Sequence, residues 1–72
     1  MKAKYTEEFV SVLKERGIKL KDAYKIIDNN IQNIFPDKKV YIVSIDSTNI
    51  SAYVDGKYEE IPLNKAYPTL FR

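Results

Sequence analysis

The hydrophobic period of this chain changes at Lys39, and that change limits the fold more than any other feature. Before Lys39, apolar residues recur at spacings of three and four; after it they alternate. A chain that reads as helix and then as strand is expected to form an α+β domain, with helices laid on one face of an antiparallel sheet.

The helical half divides in two. Phe9, Val12 and Leu13 make an apolar stripe. Thr6 stands where an N-cap belongs, and Glu7 and Glu8 fall in the first turn, where the helix dipole favours anions. Gly17 follows Lys14 and Arg16, the usual chemistry of a helix C-terminus. The expected helix covers residues 6–16. A second covers 21–35, with Ala23, Ile26, Ile27, Ile31 and Ile34 on one face and Lys25, Asn29, Gln32 and Asn33 opposite. Pro36 and Asp37 end it.

The alternating half predicts three strands, over 40–45, 50–54 and 57–63. Asp55-Gly56 is a two-residue hairpin turn, and Asp46-Ser47-Thr48-Asn49 a four-residue one. With straight strands, Ile45 pairs with Ile50, Val43 with Ala52 and Tyr41 with Val54. Across the second turn Val54 pairs with Lys57, Ala52 with Glu59 and Ile50 with Ile61. The helix-facing side is then Tyr41, Val43, Ile45, Ile50, Ala52, Val54 and Ile61. The expected fold is ααβββ: a helical hairpin on a three-stranded antiparallel sheet. The other sheet face would carry Val40, Ile42, Tyr53 and Tyr58 beside Ser44, Ser51 and Glu60. That is too apolar for water, so a cover is expected. Either the tail, residues 64–72 with Tyr67, Leu70 and Phe71, folds over it, or another chain does.

Seventy-two residues are one domain near the lower size limit for an independent core. The chain has no cysteine and no histidine. No disulfide forms, a transition-metal site is not expected, and a Ser or Thr nucleophile would have no histidine base. The two glycines are used by a helix end and a turn, so no phosphate loop is present. The adjacent acids Glu7/Glu8 and Glu59/Glu60 point in different directions and read as solvated surface. No enzyme activity, no metal and no cofactor are expected. The first residues have no apolar run after their lysines, and no stretch approaches a membrane span of ~18 apolar residues. The expected location is cytoplasmic, and Asn49-Ile50-Ser51 reads as a chance sequon. Frequent Lys, Ile, Asn and Tyr would suit an AT-rich bacterial or phage genome.

Two surfaces remain as candidates. The first is a protein interface at Val40, Ile42, Tyr53, Tyr58, Tyr67, Leu70 and Phe71, for a protein partner or a second copy in a homodimer. It points to a small regulatory or accessory protein that works by protein–protein contact. The second is the basic set Lys14, Arg16, Lys19, Lys21 and Lys25, with Asn29. Residues 1–39 hold nine basic and six acidic side chains, and residues 40–72 three and four. The run 13–27, bent at Gly17, resembles a helix-turn-helix, with the hairpin as a wing. That resemblance implies the alternative reading, a small DNA-binding regulator whose second helix enters the major groove. The run departs from the motif at Leu13, where alanine is usual, and at Asp22 and Asp28, which would face phosphates. It also has no third helix.

Overall fold

Thr6 opens the first helix as its chemistry requires. In the computed structural model, which describes residues 3–69, its Oγ1 accepts the Phe9 N–H at 3.3 Å. Helix α1 runs Glu7–Arg16. Gly17 closes it in the left-handed region, with φ of 68°. The Gly17 and Ile18 N–H groups cap the Lys14 and Leu13 carbonyls, a Schellman ending. Helix α2 runs Leu20–Ile34 and stops at Phe35-Pro36. Its buried line is Ala23, Ile27 and Ile31. Ile26 and Ile34, expected on that line, are exposed. The flank between them is turned to the end of the chain, where Asn30 Nδ2 donates to the Ala66 carbonyl at 2.6 Å.

The sheet has four strands and is mixed, which corrects the expected three-stranded antiparallel sheet. The order is β1 (Lys4–Tyr5), β2 (Val40–Ile45), β3 (Asn49–Val54) and β4 (Lys57–Pro62). Strand β1 pairs in parallel with β2, Lys4 opposite Ser44 and Tyr5 opposite Ile45. The Thr6 N–H continues the ladder to the Ile45 carbonyl at 3.1 Å. Parallel neighbours need a long crossover, which α1 and α2 supply. The third antiparallel strand ends at Pro62, and Leu63 starts a short helix, α3 (Leu63–Ala66).

The β3–β4 register is the expected one: Val54 faces Lys57, Ala52 faces Glu59 and Ile50 faces Ile61. Asp55 and Gly56 both take positive φ, 50° and 82°, as a type I′ turn demands. The β2–β3 register is the expected one at Ile45↔Ile50 and Ser44↔Ser51. Beyond Ser44↔Ser51 it shifts, so that Ile42 faces Ala52, Tyr41 faces Tyr53 and Val40 faces Val54. Val43 is the extra residue of a β-bulge. One extra residue reverses the parity of everything beyond it. Ile42 therefore turns to the helices and is only 2% exposed, and Val40 packs against the same core. Tyr41 turns the other way. The expectation that Val40 and Ile42 lie on the outer face, and Tyr41 on the inner, is thus corrected.

The core lies between sheet and helices. Phe9, Leu13, Ile27, Ile31, Ile42, Ile45, Ile50 and Leu63 are its largest fully buried side chains. Each is worth roughly 1.5–3 kcal/mol relative to exposure. Tyr5 stacks on Phe9 with ring centroids 6.0 Å apart. Burial pushes the Tyr5 and Tyr24 phenols above their ordinary value, and at Tyr24 the Asp28 carboxylate and Tyr5 add to it. Among the described residues no helix is long and apolar enough to cross a membrane.

The β2–β3 turn depends on one carboxylate. Asp46 Oδ1 accepts the Asn49 N–H at 2.6 Å, the Thr48 N–H at 2.7 Å and the Thr48 hydroxyl at 2.9 Å. These bonds, the Asn49 N–H first, hold its carboxyl below the ordinary aspartate value. A depressed folded value means that the contribution is complete above the unfolded value and disappears as pH falls through the folded one. The Asp46→Asn protein is therefore expected to be less stable than the parent at pH 7, with the gap closing toward pH 3. Urea midpoints measured at both pH values check this, and a pH-independent gap would contradict it.

Candidate functional site

Turning Tyr41 outward completes a row of tyrosines across the open face of the sheet. Tyr41 on β2, Tyr53 on β3 and Tyr58 on β4 are direct cross-strand partners. They are 52%, 44% and 52% exposed. The Tyr53 and Tyr58 rings meet edge to face, 5.7 Å between centroids and 68° between planes, the arrangement that suits aromatic quadrupoles. The Tyr58 hydroxyl donates toward Ser51 Oγ at 3.1 Å and Glu60 Oε2 at 3.3 Å. That fixes where its ring lies over the sheet.

The next row along the strands is polar. Lys4 stands opposite Ser44, Ser44 opposite Ser51, and Ser51 opposite Glu60. The outer face therefore bears an apolar, aromatic row and a polar row with a cation at one edge strand and an anion at the other. At the hairpin end, Tyr41 and Tyr53 open into a shallow concavity of about 770 Å³ that reaches round the sheet edge and is lined also by Gln32, Lys38, Lys39, Val40 and Gly56. This corner is well braced. Asp55 Oδ1 accepts the Lys39 N–H, the Asp55 N–H donates to the Lys39 carbonyl, both at 2.8 Å, and Lys38 Nζ lies 3.9 Å from Asp55 Oδ2.

Of the residues expected at a protein interface, Tyr53 and Tyr58 are on this face and Val40 and Ile42 are not. Tyr67 is 4% exposed and joins the core on the helix side, beside Ala66 and Leu63. The short helix α3 takes it there, because α3 packs on α2. Leu70 and Phe71 lie outside the described residues. Tyr41 belongs to the row because of the bulge; straight pairing would put it in the core. The signal that identifies it is the spacing of the aliphatics Val40, Ile42 and Ile45, which changes parity between Ile42 and Ile45.

The basic set is exposed throughout. Lys14 and Arg16 occupy the last turn of α1 and Lys19 the junction. Lys21, Lys25 and Asn29 follow each other at spacings of four along the outward side of α2, and among the described residues none of these cations is in an ion pair. Asp22 and Asp28 border that stripe, and the third helix in the chain, α3, has four residues and follows the sheet. Among the described residues no group of three or more acidic, histidine or cysteine side chains comes together as a metal site.

No protein-family model, no curated protein and no solved structure matches this chain.

Proposed function

We propose that this chain is a non-enzymatic protein-binding module whose contact surface is the Tyr41–Tyr53–Tyr58 row. The observation that carries this reading is the register shift at Val43. Without it the face would present the aliphatics Val40 and Ile42; with it, the face presents three tyrosines in line. Tyrosine offers a large apolar surface and a polar tip, and with two side-chain torsions it loses little entropy when immobilised. The other face of the sheet beneath is filled by the core. Catalysis is disfavoured by the chemistry of the chain, which has neither histidine nor cysteine to act as base or nucleophile. A protein interface needs none of those groups.

A photo-crosslinking amino acid placed at Tyr53 in living cells tests the surface, with the same group at Asn33, on the exposed side of α2, as control. A discrete adduct is expected from position 53 and not from position 33. No discrete adduct at 53, or the same adducts at both positions, would overturn the reading. The mass of the adduct also separates a second copy of this chain from any other protein.

A further inference from the structure

We infer that the occupant of the tyrosine face is a second copy of this chain, docked about a two-fold axis parallel to the strands. The inference rests on the reading of that face as a protein interface, and the charges of the polar row supply the partner. An axis lying between two stacked sheets and parallel to their strands maps the order β1-β2-β3-β4 onto β4-β3-β2-β1 without moving anything along the strands. With four strands, the axis passes between β2 and β3. Lys4, on β1, then meets Glu60 of the second copy, on β4, and the reverse contact forms at the opposite edge. Ser44 meets Ser51, and Tyr41 meets Tyr53. At the hairpin end the same operation brings the start of β2 over the end of β3, setting Lys38 toward Asp55 of the second copy.

The alternative axis, perpendicular to the strands through the polar row, places each strand on its own copy. Lys4 would face Lys4 and Glu60 would face Glu60, and like charges oppose that arrangement. Of these two axes the charge pattern is self-complementary about the first, as an isologous interface requires. The dimensions agree. Stacked sheets lie about 10 Å apart and are rotated by about 30°. An edge strand is roughly 7 Å from the central axis, so that rotation displaces Lys4 from Glu60 by roughly 3–4 Å, within reach of a lysine side chain. Tyrosines from both copies fill the layer between the sheets. A chain of this size without disulfides gains most from such an association.

The test is a charge swap read by sedimentation equilibrium on the full chain, with circular dichroism to confirm that each variant is folded. Lys4 and Glu60 are exposed, so their replacement leaves the core intact. Lys4→Glu and Glu60→Lys should each weaken the dimer by about tenfold or more, since either one turns two attractions into two repulsions. The double variant should recover to within about threefold of the parent. Tyr53→Glu should give a folded monomer. A parent that stays monomeric up to about 1 mM overturns the inference. So does a double variant no tighter than the single ones, or a dimer that Tyr53→Glu leaves unchanged. A crosslinked adduct from Tyr53 that is not twice the chain mass would overturn the second copy and leave the protein-binding surface standing.

Discussion

Ile42→Asp is expected to abolish folding, whereas Tyr41→Asp leaves a folded domain. The two positions are neighbours in one strand, and straight pairing from the Asp46 turn would assign them the opposite roles. The bulge at Val43 decides the matter. Ile42 is 2% exposed among Ile45, Ile50 and Ala52, with no polar group to receive a carboxylate. Truncation there to alanine alone should cost about 2–5 kcal/mol. A buried unpaired charge costs more, against a total stability of roughly 0.05–0.15 kcal/mol per residue. Tyr41 has half its surface in water, so its loss should cost about 1 kcal/mol, the span of strand preferences. Urea unfolding followed by circular dichroism, at a concentration low enough to keep the chain monomeric, reads both. A folded Ile42→Asp protein beside an unfolded Tyr41→Asp protein would restore the unbulged register.

Tyr67→Ala is expected to cost about 3–5 kcal/mol, the usual penalty for emptying a buried aromatic site. Tyr53→Ala should cost about 1 kcal/mol or less, limited to its cross-strand neighbours Tyr41 and Tyr58. The contrast follows from where each ring sits. Tyr67 is carried by α3 into the core on the helix side, and its N–H continues the short helix to the Leu63 carbonyl at 2.8 Å. Removing residues 66–72 should be at least as damaging, since Ala66 is fully buried and its carbonyl holds the Asn30 amide. Chemical denaturation of the three proteins checks this. A Tyr67→Ala protein as stable as Tyr53→Ala would mean that the chain end contributes nothing to the core.

An outer face bearing Val40, Ile42, Tyr53 and Tyr58 conflicts with water. The strand itself changes which residues lie there. The bulge exchanges two aliphatics for one tyrosine, and Leu63, Ala66 and Tyr67 go to the helix side. Three exposed tyrosines remain; Tyr41 brings as many side-chain carbons as Val40 and Ile42 together, but with a hydroxyl at its tip that water can bond. The basic cluster was legible residue by residue, because exposed lysines on a helix need only the helical period to be placed. The Lys4–Glu60 row was not, because it joins residues whose strands meet only in the finished sheet.

What the amino-acid sequence determined by itself is everything decided within a few residues. Thr6 and Gly17 bound the first helix, Pro36 stops the second, Asp46 and Asp55-Gly56 make the turns, and the tight hairpin sets the whole β3–β4 register. Each rests on a local preference of the backbone or on a side chain bonding its near neighbours. Tertiary structure alone decided the rest. Lys4 and Tyr5 are too short a run to show a period, and they become a strand only because α1 and α2 return the chain beside them as β2. Leu63 to Tyr67 turn into the core because α2 offers Asn30 and an apolar flank. The bulge at Val43 gives up regular pairing at one residue to place both Ile42 and Ile45 against the helices, and only a sheet already packed on its helices makes that exchange favourable.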